Sequence, residues 1–155
     1  MRPLVVGVGH PDRGDDAVGP LVADAVRRTG GDVDVTTVMA PLQLLDAWAD
    51  REVVVVVDAV RSGRSAGAVT VVRTDAPLPV PTGATGSHGF GVAEAVELAR
   101  AVDRLPPRLT VVGIEAATFD TGGGMSRPVR RAVEEAARAV GRVLAEAGAR
   151  EAGAD

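Results

Sequence analysis

The sequence predicts an α/β protein: a three-layer α/β/α sandwich around a five-stranded, mostly parallel sheet with one antiparallel strand. Three observations predict it. Apolar β-branched runs alternate with segments of helical period along most of the chain. The run VVVVVDAV at 53–60 shows no polar alternation, which suits a strand covered on both faces. One connection between strands, RSGRSAG at 61–67, is too short for a crossover helix, so the strand after it must run against its neighbour.

Each element follows in order. PLVVGVG (3–9) is a buried strand ending in glycines. Val18, Leu21, Val22, Ala25 and Val26 recur at helical spacing, with Asp24, Arg27 and Arg28 opposite, and Gly30-Gly31 closes that helix. VDVTTV (33–38) is a second strand, and Pro41 opens a short helix through Leu42, Leu45 and Trp48 to about Asp50. After the central strand, AVTVVR (68–73) is the antiparallel one. TDAPLPVPTGATGS (74–87) has no period and is long for a compact domain, which marks a functional or moving loop. A helix from Gly91 to Asp103, the strand RLTVVGIEA (108–116), a glycine loop FDTGGGMS (119–126) and a long helix opened by Pro128 complete the chain. One domain is expected over 1–148, with 149–155 as a frayed, disordered tail.

Composition narrows the function. The net charge of −4 argues against a nucleic-acid partner, which wants a basic face. All 17 basic residues are arginine, a bias that reads as genomic. With no cysteine there is no disulfide framework, thiolate nucleophile or cysteine metal site. Neither a signal-peptide pattern nor a bilayer-length apolar run is present, so a cytoplasmic protein with no membrane partner is expected. A monomer is expected as well.

In sheets of this kind, sites form where loops leave the carboxyl ends of strands. Three such loops carry chemistry: Asp15-Asp16, Asp58, and Ser87-His88. A carboxylate ending five valines is costly to desolvate, so Asp58 should face a crevice, a metal or a donor; the plainer reading is a cap on the turn into Arg61-Ser62-Gly63. An aspartate before a helix favours capping it, and a second adjacent one is redundant there and free to act as ligand or base. His88 lies between Gly86 and Gly89 at a helix start, and a lone histidine is more often structural than a ligand. Two carboxylates and one imidazole make an N/O site for a divalent transition ion, with coordination positions left open.

Rival motifs fail. Gly7-Val8-Gly9 lacks the third glycine of a dinucleotide fingerprint, and two aspartates would repel a pyrophosphate. A phosphate-binding loop needs a lysine, and there is none. Asp120-Thr121-Gly122 matches the aspartic-protease triplet, but that chemistry needs two such loops in a β-rich fold. Ser87 and His88 are adjacent and lack a nucleophile elbow.

Four blocks together resemble the hydrogenase maturation proteases, endopeptidases that trim the C-terminus of the large subunit of nickel-iron hydrogenases. They are VVGVGHPDRGDDAVGPLVADAV (5–26), VVVVVDAVRSGRSAGAV (53–69), SHGFGVAEAVELA (87–99) and VVGIEAATFDTGGGMSRPV (111–129). The resemblance implies a small α/β/α protease whose three metal-contacting positions are Asp16, Asp58 and His88, which would then be both the catalytic and the metal-binding residues. It implies that nickel arrives with the large-subunit precursor rather than residing in the enzyme, and that cleavage follows metal loading. Either the metal polarises the carbonyl or a carboxylate activates water, with Glu115 and Asp15 as further helpers and the glycine loops 82–91 and 121–124 moving to admit a peptide. Position 10 departs from the family: Asn is usual there, and this chain has His10, which either joins the metal site or lines it. The alternatives are a non-catalytic checkpoint protein that senses nickel loading, or a related α/β protease acting on another precursor, such as a spore protein.

Overall fold

The computed structural model describes residues 1–74, 91–120 and 122–153. Five strands form one sheet: β1 (Leu4–Val8), β2 (Asp34–Val38), β3 (Val53–Val60), β4 (Val69–Arg73) and β5 (Arg108–Glu115), in the spatial order β2-β1-β3-β5-β4. All neighbours are parallel except β4, which pairs antiparallel with β5 at the edge. This is the three-layer, mostly parallel architecture that the runs of valine and the short 61–67 connection predict.

Side chains alternate across the pleat, so each inner strand feeds two cores. Leu4, Val6, Val8, Val54 and Val56 point to the face covered by α2 (Leu44–Ala47) and α3 (Val92–Ala101). Val5, Val55 and Val57 point to the face covered by α1 (Val18–Arg28) and α4 (Arg127–Gly153). Trp48 seals the first core at 1% exposure, its Nε1–H donating to the Arg104 carbonyl at 3.0 Å.

Two boundaries differ from expectation. The helix expected from Pro41 to about Asp50 is instead a 3-10 turn at Pro41–Gln43 and a single α-turn at Leu44–Ala47. Asp50, at φ 62°, takes the left-handed conformation that no continuing helix allows. The last helix runs to Gly153, past Gly148, beyond which the sequence predicts a frayed tail. Alanine, glutamate and arginine around that glycine are strong helix formers and carry the helix across it.

The order β2-β1-β3 makes the functional geometry. From β1 the chain leaves by α1 to β2, on one side; from β3 it leaves towards β4 and β5, on the other. The connections therefore diverge at the carboxyl ends of β1 and β3, opening a crevice there. Gly7 pairs with Val57, so the chain leaves β1 level with Asp58.

Candidate functional site

Glycines bring the first turn of α1 down onto that crevice. A Cβ at Gly19 would overlap the Val8 carbonyl oxygen and lie 2.6 Å from that of Val57, so only glycine lets the helix rest on both strand ends. Gly9, at φ 152°, leaves the strand where a Cβ would overlap the Asp16 carbonyl oxygen. Between them, a 3-10 turn at Gly14–Ala17 carries the two aspartates.

The adjacent aspartates have opposite fates. Asp16 is half-buried, and its Oδ2 accepts the His10 amide at 2.7 Å. Asp15 is fully buried at 0% exposure. Its Oδ2 accepts the amides of Ala117 (2.7 Å) and Thr118 (3.0 Å) and the Ser126 hydroxyl (2.8 Å), while Oδ1 accepts the Ser126 amide at 2.7 Å. Burial alone would raise the Asp15 pKa; the Ser126 and Ala117 amides, the Ser126 hydroxyl and the Thr118 amide outweigh it and hold the group below the usual value. The expected helix cap is therefore corrected. Neither aspartate caps: Ala17 precedes α1 without a side-chain bond, and the 3-10 turn has none either. Asp15 spends its lone pairs on a loop more than a hundred residues away.

Asp58 is half-buried, at the end of the apolar run and in line with Val54 and Val56 on the α3 face of the sheet. Desolvation pushes its pKa well above the usual carboxylate value, the Asp16 charge pushes it further, and the Ala59 amide opposes both. The Asp16 charge thus reaches Asp58 across the crevice. Among the described residues, no ion pair neutralises either of them. A desolvated carboxylate beside a second negative charge favours a proton or a nearby cation.

His10 has a local role. Its Nδ1 accepts the Asp12 amide two residues on, at 3.1 Å, the bond an Asn side chain makes in an Asx turn. An imidazole that accepts at Nδ1 carries its proton on Nε2. His10 forms no three-ligand cluster with Asp16 and Asp58: among the described residues, no three His, Asp or Glu side chains gather as a metal would require. His88, the third residue of the expected site, lies outside the described residues, as does most of the 74–87 loop.

A second buried carboxylate flanks the crevice. Glu115, at 3% exposure, accepts the Ser62 amide (2.8 Å) and Gly63 amide (3.0 Å) at Oε1 and the Ser62 hydroxyl (2.8 Å) at Oε2. It fastens the loop that follows Asp58, over which the Arg61 guanidinium lies 4.6 Å from the centre of the Phe119 ring. The glycine loop at 121–124 reaches back to the turn after β1. Gly122 donates to the Asp12 carbonyl at 3.0 Å and Ser126 is held by Asp15, while Thr121 lies outside the described residues. Ser62 and Ser126, the hydroxyl partners of Glu115 and Asp15, carry no sequence signal: isolated serines beside glycines or before a helix are common.

The comparisons agree with this architecture. A family model for hydrogenase maturation proteases matches residues 35–143. The chain is 27% identical over 153 residues to the hydrogenase 2 maturation protease of Escherichia coli, covering 96% of this chain and 93% of that one. It is 29% identical over 150 residues to the hydrogenase expression/formation protein HupD of Rhizobium leguminosarum, covering 92% and 74%. Among solved structures, the hydrogenase-maturating endopeptidase HybD from E. coli superposes with a TM-score of 0.78 at 26% identity, covering 96% of this chain and 94% of that chain. The maturation protease HycI from Thermococcus kodakarensis shares the fold, with a TM-score of 0.71 at 23% identity over 92% of each chain. With a model match over most of its length, and a glycine-built crevice holding the Asp16 and Asp58 carboxylates where two strand connections diverge, the chain belongs to the hydrogenase maturation protease family.

Proposed function

We propose that this hydrogenase maturation endopeptidase removes the C-terminal peptide of a nickel-iron hydrogenase large-subunit precursor once nickel has been inserted. Asp16, Asp58 and His88 grip the substrate's nickel. One observation carries the reading: the Asp58 carboxylate sits at the end of a buried strand beside the Asp16 charge, and among the described residues no basic side chain pairs with either. Such a pair is costly until a cation enters, and a divalent ion discharges both groups at once. Two carboxylates and an imidazole suit nickel by donor type.

The chemistry adds one water across the scissile peptide bond, with hydroxyl going to the carbonyl carbon and a proton to the departing amine. The chain's contribution is placement. The hydrogen-bonded turn 10–17 and the loop after β3 hold the carboxylates, and their hold on the metal sets the peptide bond beside them. Metal sensing follows directly. Without nickel, the carboxylates face no cation and the tail is not positioned, so unfinished precursor is spared.

The test incubates chelator-stripped enzyme with nickel-loaded and nickel-free large subunit and follows the released peptide by mass spectrometry. Cleavage of the loaded form alone is expected. Equal cleavage of both would overturn metal sensing and leave the family assignment intact.

A further inference from the structure

We infer that the carboxyl end of β5 is a positioning bridge that sets Asp16 and Asp58 relative to each other, with Asp15 and Glu115 as its two clamps. The inference rests on the proposed reading of those two site residues. The loop after β1 carries Asp16, the loop after β3 follows Asp58, and both are fastened to residues 115–118. On one side, Asp15 takes the Ala117 and Thr118 amides, and its own amide donates to the Thr118 carbonyl at 3.0 Å. On the other, Glu115 takes the Ser62 and Gly63 amides, and the Ala116 amide donates to the Val60 carbonyl at 2.9 Å. Each carboxylate accepts two or three main-chain amides and one serine hydroxyl, and each is almost wholly removed from water.

Such groups do not touch substrate. Their oxygens are already occupied, so their effect reaches the reaction only through the loops they hold. An uncompensated buried carboxylate would be expelled or protonated; three or four charge-assisted bonds keep each in place and make the loops rigid. The crevice width between Asp16 and Asp58 is then inherited from a single strand end. A misplacement of about 1 Å there lowers turnover by about a hundredfold.

The bond patterns differ in a way that makes the inference testable. At Glu115, Oε1 accepts both amides and Oε2 meets only the Ser62 hydroxyl, which can turn and accept. A glutamine amide fits there, with its oxygen on the amides and its nitrogen on the hydroxyl. At Asp15, Oδ2 and Oδ1 both face main-chain amides. In either orientation, an asparagine NH₂ would meet an amide N–H, donor against donor.

The experiment measures kcat and KM on nickel-loaded precursor, cadmium affinity by calorimetry and the thermal midpoint for Asp15→Asn, Ser126→Ala, Glu115→Gln and Glu115→Ala. Val140→Ala, in the α4 core, serves as a control for general destabilisation. Glu115→Gln is expected to keep kcat within about threefold, while Glu115→Ala and Asp15→Asn lose about a hundredfold in kcat with KM little changed. Both damaging variants should also weaken cadmium binding; the Val140→Ala control, though less stable, should keep kcat and cadmium affinity. Should Asp15→Asn fail to fold, Ser126→Ala, which keeps three of the four bonds to Asp15, must still lower kcat and cadmium affinity. Loss of activity in Glu115→Gln equal to that in Glu115→Ala would overturn the clamp by making the Glu115 charge the essential feature. Undiminished kcat in Asp15→Asn would overturn it too. Wild-type enzyme that leaves loaded precursor uncut would instead defeat the proposed function.

Discussion

The main chain of His10 holds Asp16: its amide donates to Asp16 Oδ2 at 2.7 Å, across six residues that fold back on themselves. The imidazole of the same residue closes the turn between them, accepting the Asp12 amide at Nδ1. The ring nitrogen thus makes the turn bond that an asparagine side chain can make, while the support of Asp16 comes from the main chain of the same residue.

Asparagine at position 10 should restore the commoner turn without loss. His10→Asn is expected to match wild-type processing, whereas His10→Ala removes the acceptor and costs about 1 kcal/mol of turn stability, a factor of about five in the population of the competent loop. Steady-state processing of loaded precursor by the three proteins checks this. A His10→Asn variant as impaired as His10→Ala would show that the ring itself is needed.

Gly19→Ala tests the close approach of helix to sheet. The added methyl overlaps the Val8 carbonyl oxygen and presses on that of Val57, both main-chain atoms that cannot step aside. Overpacking of this kind costs about 1–3 kcal/mol, and here it also lifts the first turn of α1 off the crevice. Thermal melts should show a lower midpoint, and processing should fall by more than the unfolded fraction explains. Activity that tracks stability alone would separate α1 seating from the site.

Trp48→Phe probes the opposite core. Phenylalanine keeps most of the apolar bulk but strands the Arg104 carbonyl, which accepts the indole N–H at 3.0 Å. The expected loss is about 1–3 kcal/mol in denaturant unfolding, with the slope unchanged. Processing by the folded variant should be near normal, since Trp48 packs against α3 and the strands, not against the crevice.

Asp34 supplies a pH dependence away from the site. Its hydrogen bond to Arg51 at 2.7 Å, aided by the Arg2 charge, lowers its pKa in the folded state despite some desolvation. A depressed carboxylate pKa means that the unfolded chain binds the proton first. The stabilisation is therefore present above the unfolded value and lost as pH falls through the folded one. Asp34→Asn should melt below wild type at neutral pH, and the two midpoints should converge as the pH falls through the folded value. A gap that persists in acid would assign the effect to something other than the Asp34 charge.

The order of elements was legible because burial writes itself into composition. A strand covered on both faces must be apolar throughout, as at 53–57, and seven residues cannot hold a crossover helix, which forced β4 to run backwards. The carboxylates at the strand ends were legible for the same reason: charge after an apolar run is conspicuous. The division of labour between Asp15 and Asp16 was not. Capping is a local rule readable within four residues, but the partners of Asp15 lie at 117, 118 and 126, brought near only by the tertiary fold. The short α2 escaped for a related reason, since the left-handed turn at Asp50 leaves no mark in hydrophobic period. His88, drawn from its glycine-flanked setting and from the family resemblance, lies outside the described residues, so its place beside the carboxylates belongs to the proposal.

Asp58→Asn should separate stability from function. The native carboxylate is disfavoured twice, by desolvation and by the Asp16 charge, and only the Ala59 amide favours it. Asparagine keeps the shape and an acceptor for that amide while removing the charge, so the folded protein at neutral pH is relieved of a repulsion. The thermal midpoint is expected to rise by about 2–4 °C, the response of a domain this size to about 1 kcal/mol. Processing of nickel-loaded precursor should be abolished, because a neutral amide no longer balances a divalent cation. The plain alternative, a cap on the turn at 61–63, predicts the reverse. Asparagine caps such turns as well as aspartate does, so activity would survive. That alternative is weakened by the bonds actually made at the turn, whose Ser62 and Gly63 amides are taken by Glu115. A variant that is more stable and inactive would identify Asp58 as a charge kept for the substrate's metal at the expense of the fold; an active one would return it to a structural role.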